Sequence, residues 1–126
     1  MNKKTLNISR KTADRIVSEV IERAKEINAS SFPKFMLSVK KIAVFGSYLT
    51  DKEKLGDVDI AVLWERRKEC EKGDWHTNAL KCIEIHKKSV PDWFQQFDFP
   101  HMIVRQTLRN RSKSLSIHAY DELERM

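Results

Sequence analysis

The apolar residues Ile16, Val17, Val20, Ile21, Ala24 and Ile27 recur every three or four positions with charged residues between them. That spacing predicts an amphipathic helix from about Ser9 to Ile27 packed on a sheet. Asn28-Ala29-Ser30-Ser31 reads as its exit, and Pro33 opens a short turn or helix through Phe35, Met36 and Leu37. The unbroken apolar run Ile42-Ala43-Val44-Phe45 predicts a buried strand near 41–45, and Val58, Ile60 and Val62 alternate along a second strand near 57–64. Between them, Tyr48 to Leu55 is polar enough for an exposed short helix and a turn. Glu65 to Asp74 reads as a surface loop, with Asp74 as the N-cap of a helix from Trp75 to about Val90. Pro91 to Pro100 is rich in aromatics and predicts a turn and short helix packed over the core. Residues 101–110 suit another helix, and Ser114 to His118 alternates like a last strand. The alternation of the two element types makes this an α/β (α+β) chain, read as a single domain over 1–126.

Composition narrows the setting. With 126 residues, 40% of them hydrophobic and only three glycines and three prolines, the chain supports one packed core and is not disordered. No stretch approaches the roughly 18 apolar residues of a membrane span, and Met1-Asn2-Lys3-Lys4 lacks the apolar core of a signal peptide, so the expected address is cytoplasmic. Cys70 and Cys82 match no zinc ribbon, and Cys82 with His86 four residues on offers two metal donors where four are usual. A small buried thiol is the simpler reading of Cys82. A net charge of +6 suits a polyanionic partner such as ATP or RNA, although a solvated basic face explains it equally well. The basic residues concentrate in Arg105, Arg109, Arg111 and Lys113 and in Lys81, Lys87 and Lys88.

The chemistry lies at the ends of the two buried strands. Gly46-Ser47 follows Phe45, and a glycine there lets backbone approach a ligand closely. A helix starting at Ser47 would point free N–H groups at a phosphate. Nine residues on, Asp57-Val58-Asp59-Ile60 opens the second strand; side chains alternate across a strand, so Asp57 and Asp59 share a face at roughly 6.5–7 Å spacing. Aspartate is depleted in strands, and two on one face suit a divalent cation.

Phe45-Gly46-Ser47 followed by Asp57-Val58-Asp59-Ile60 resembles the DNA polymerase beta-like nucleotidyltransferase superfamily, and the short chain resembles its minimal branch. The resemblance implies a small mixed, mainly antiparallel sheet covered by helices. It implies that Gly46 and Ser47 hold the triphosphate and that Asp57 and Asp59 are catalytic and hold Mg²⁺ or Mn²⁺. The implied activity is transfer of a nucleoside monophosphate, with ATP as the expected donor and AMP as the group moved, to an unidentified acceptor such as an RNA or protein. The superfamily usually adds a third acid from a neighbouring strand. Here the same-facing positions of the last strand are Ser114, Ser116 and His118, with Asp121 and Glu122 only beyond it. Because of that departure, a catalytically impaired, antitoxin-like or regulatory binding partner, paired with a toxin, stands as the alternative. A basic RNA-binding module without nucleotide chemistry rests on charge alone.

Overall fold

The computed structural model of the chain describes residues 8–121. Met1-Asn2-Lys3-Lys4 and Glu122 lie outside them. A two-residue strand β1 (Ile8–Ser9) leads into helix α1 (Arg10–Ala29); β2 (Leu37–Phe45), β3 (Lys54–Leu55) and β4 (Val58–Arg66) follow, then α2 (Trp75–Ile85), α3 (Trp93–Arg109) and β5 (Leu115–Ala119). The main sheet has the order β2-β4-β5, with β2 antiparallel and β5 parallel to the central β4, while β1 and β3 form a separate antiparallel pair. A parallel neighbour needs a long crossover, and α2 and α3 supply it. The sheet is therefore mixed, as expected of an α+β fold.

One face of the sheet is apolar by alternation. Val58, Ile60 and Val62 are completely or almost completely buried, and burial of each contributes about 1.5–3 kcal/mol. Against them lie the α1 stripe Ala13, Ile16, Val20, Ala24 and Ile27 and the α3 residues Phe99, Ile103, Val104 and Leu108. The helices thus cover the face on which Val58 and Ile60 lie, and the acids belong to the other.

Ser9, the expected first residue of α1, caps it instead by accepting the Thr12 amide (3.1 Å), so the helix begins one residue later, at Arg10. The strand expected at 41–45 begins earlier, at Leu37, with a register shift between Val39 and Lys41. The cause lies in the preceding helix. Asn28 at the end of α1 donates Nδ2 to the Val39 carbonyl (3.0 Å) and accepts the Val39 amide on Oδ1 (2.8 Å), acting as a substitute strand on the free edge of β2. Arg67, past the end of β4, donates to the Ser30 and Ile27 carbonyls (2.5 Å each) and so closes the C-terminal turn of α1.

Asp74 caps α2 as expected, accepting the Thr77 amide at 3.0 Å. The helix stops at Ile85, short of Val90, because Lys87 turns left-handed (φ 54°) and the Lys87 and Lys88 amides reach back to Glu84 and Ile83. The proline at 91 also disfavours helix in the residue before it. Farther on, the short helix and separate helix expected across Pro100 are one continuous α3, with Pro100 inside it. An interior proline costs about 3 kcal/mol, which burial of Phe99 and Pro100 itself against the core offsets. The aromatic segment does not all pack inward: Trp93, Phe94 and Phe97 are exposed, and only Phe99 joins the core.

Asn28→Asp keeps the bond from the Val39 amide but sets a carboxylate oxygen against the Val39 carbonyl. Loss of about 1–3 kcal/mol is expected, read as a lower urea midpoint at unchanged slope.

Candidate functional site

β4 is the middle strand, so residues near its start have neighbours on both sides. On one side Phe45, the last residue of β2, pairs with Asp59. The chain then turns at Gly46, whose φ of +76° lies in the left-handed region that glycine alone enters freely. A Cβ built at Gly46 would lie 2.8 Å from Asp59 Oδ2, closer than any real contact. Gly46 is therefore required twice over, by its own backbone angle and by the carboxylate pressed against it.

On the other side, β5 runs parallel with Asp59 beside Ser116 and Ala61 beside His118. Ser116 Oγ donates to Asp57 Oδ2 (3.2 Å), and His118 Nε2 lies 3.4 Å from Asp59 Oδ1. The His118 ring also meets the Phe45 ring edge-on, 5.2 Å between centroids. Each acid thus has one polar neighbour from β5. The Asp59 carboxylate sits between Gly46 and His118, while Asp57 lies exposed just before β4. Among the described residues, no three His, Cys, Asp or Glu side chains gather into a metal-binding group. Two carboxylates with an open side remain. That donor set suits a hard cation completed by water and phosphate oxygens, and not a closed protein cage.

The Gly46-Ser47 turn is a four-residue 3₁₀ segment, Gly46–Leu49, in place of the expected helix from Ser47, so no helix dipole is aimed at a phosphate. Within it the Ser47 carbonyl accepts both the Thr50 amide (3.0 Å) and the Thr50 hydroxyl (2.7 Å). The following loop is tied to the start of α1. Arg10 donates to the carbonyls of Tyr48 (2.6 Å), Thr50 and Lys52 (3.0 Å), its guanidinium lies over the Tyr48 ring, and the Tyr48 hydroxyl donates to Asp14 (2.6 Å). The hydrogen bond to Asp14 raises the Tyr48 pKa. Sequence reading missed this clamp, since its partners stand about forty positions apart with no pattern linking them. Lys52 and Lys54 in this loop lie on the exposed surface.

Cys82 and His86 do share a target, but it is a carbonyl. Cys82 Sγ (3.4 Å) and His86 Nε2 (2.7 Å) both reach the Lys34 oxygen and anchor the turn before β2. Burial pushes the Cys82 thiol up to about 12. It therefore stays protonated at pH 8, and iodoacetamide is expected to modify Cys82 only after denaturation, as read by mass spectrometry.

A family model described as a nucleotidyltransferase domain matches residues 21–114, which include Gly46, Ser47, Asp57 and Asp59 and stop short of Ser116 and His118. No curated protein and no solved structure matches the chain.

Gly46→Ala is expected to cost about 1–3 kcal/mol and to displace the Asp59 carboxylate, measurable as a lower urea midpoint with shifted Asp59 resonances. Gly56→Ala is the control, because nothing lies within 4 Å of a Cβ there.

Proposed function

The chain belongs to the nucleotidyltransferase domain family of the DNA polymerase beta-like superfamily, whose reaction takes a nucleoside triphosphate as substrate, and on that premise we propose that it is a metal-dependent enzyme moving AMP from ATP to an oxygen of an acceptor molecule in the cytoplasm. The observation that carries this reading is the convergence of a Cβ-less turn and two carboxylates at the start of the central strand, with Gly46 directly against Asp59.

In nucleotidyl transfer an acceptor oxygen attacks the α-phosphorus as pyrophosphate leaves, and the phosphate charge has to be neutralised. Asp57 and Asp59 are the residues suited to hold Mg²⁺ or Mn²⁺, which when bound supplies that neutralisation. Gly46 lets the phosphates approach the backbone, and the Ser47 hydroxyl, which bonds no described residue, is available to them. Ser116 and His118 orient the two carboxylates from β5, since partners of ligating carboxylates fix the direction of their lone pairs. The Arg10 clamp holds the loop beyond Ser47 in place.

A second reading has an observation of its own. β5 presents Ser116 and His118 where a third acid is usual. On that reading the chain binds a nucleotide, or a partner such as a toxin protein, without turnover.

Incubation with α-labelled ATP, Mg²⁺ or Mn²⁺ and candidate acceptors separates the two. Label transfer that falls on the order of a hundredfold or more in both Asp57→Asn and Asp59→Asn is expected of the enzyme. Transfer that persists in those variants sinks the assignment of the acids, and nucleotide binding without transfer favours the second reading.

A further inference from the structure

A pocket of about 420 Å³ is lined by Lys88, Gln106, Arg109, Asn110 and Arg111. Its lining brings three cationic side chains together without a carboxylate. The Lys88 and Arg111 side chains make no ion pair or hydrogen bond with any described residue, so among the described residues no partner neutralises their charge. Gln106 and Asn110 add amide donors, and Arg109 is held in place by donating to the Leu115 carbonyl (2.8 Å). Such a set of donors fits a phosphate group.

The backbone gives a second, independent indication. Among the described residues, the non-glycine positions with positive φ are Lys87 (54°), Asn110 (45°) and Arg111 (65°), and all three are in this pocket or next to it. Asn110 is an ordinary left-handed stop for α3. Arg111 is not, because the left-handed region crowds a residue with a Cβ and a long side chain, a strain that glycine would avoid. The chain carries this strain at the position that places a guanidinium on the pocket rim.

The pocket lining is also tied, through Arg109, to the end of the sheet at which the acids lie. Arg109 holds Leu115, Ser114 accepts the Val58 amide (2.8 Å), and Ser116 bonds Asp57. Successive Cα atoms are about 3.8 Å apart, so the residue that Arg109 anchors is the direct neighbour of the one that touches the acid.

We propose that this pocket binds a phosphate group of the acceptor, which makes the acceptor a phosphate-bearing polyanion: a single-stranded nucleic acid or a small phosphorylated molecule. Its role toward the acceptor rests on the transferase reading; its binding of phosphate does not.

The test uses the full chain. Anisotropy of a fluorescein-labelled single-stranded RNA is measured across a salt series, and amide shifts of Asn110 and Arg111 are followed on addition of inorganic pyrophosphate. The variants are Lys88→Gln, Arg111→Gly, the double variant and Asp57→Asn/Asp59→Asn. Arg111→Gly relieves the left-handed strain, so its thermal midpoint is expected to hold or rise, which keeps the fold out of the readout. RNA affinity is expected to fall several-fold in each single variant, the salt slope to drop by about 0.7 per cation removed, and binding to survive in Asp57→Asn/Asp59→Asn. RNA binding lost in the double variant supports a nucleic-acid strand. Pyrophosphate shifts lost in that variant without RNA binding support a small phosphorylated molecule. Unchanged RNA affinity in the double variant, with no amide shift from pyrophosphate, overturns the proposal. A protein that binds phosphate here but transfers no label keeps the pocket and loses the transferase reading. One that transfers label with unchanged kcat/KM in the double variant keeps the transferase reading and loses the pocket.

Discussion

The pairing of Phe45 with Asp59 is the contact on which the site depends. Side chains alternate strictly across a strand, so a slip of one residue between β2 and β4 would send Asp59 into the apolar layer and Ile60 into water. Burial of Val58, Ile60 and Val62 under α1 and α3 makes such a slip unfavourable by several kcal/mol. The core thus sets the direction of the acids from the opposite face of the strand. With the register held, the turn at Gly46 has to pass the Asp59 carboxylate, and only a residue without Cβ fits.

The central place of β4 has a further consequence. A strand with two neighbours collects residues from both, and the acids meet the β2 turn on one side and Ser116 and His118 on the other. Helices α2 and α3 bridge β4 to β5, and the end of α3 brings a cluster of cations to the same end of the sheet. Meanwhile the start of α1 grips the loop beyond Ser47 through Arg10. Segments distant in sequence therefore meet around a short stretch of the chain.

Much of the fold was legible because it follows from local periodicity. The α1 stripe, the Asp74 cap and the alternation along β4 each show within a few residues. The structure departs from local periodicity where a tertiary contact overrides the local signal. Val39 joined β2 because Asn28 satisfies its backbone, and Pro100 stayed inside α3 because it is buried beside Phe99. The exposed Trp93, Phe94 and Phe97 failed the other way, since aromatic content alone does not say which rings face the core.

The sequence by itself determined which residues share a strand end and a strand face. A glycine at a strand end and two aspartates at alternate positions carry their meaning in spacing, because strand geometry turns spacing into direction. Only the tertiary structure decided what stands around them: the Asp59 oxygen against Gly46, Ser116 and His118 beside the acids, and the Arg10 clamp. Those contacts depend on register and on the packing of elements tens of residues apart, and no local pattern encodes either.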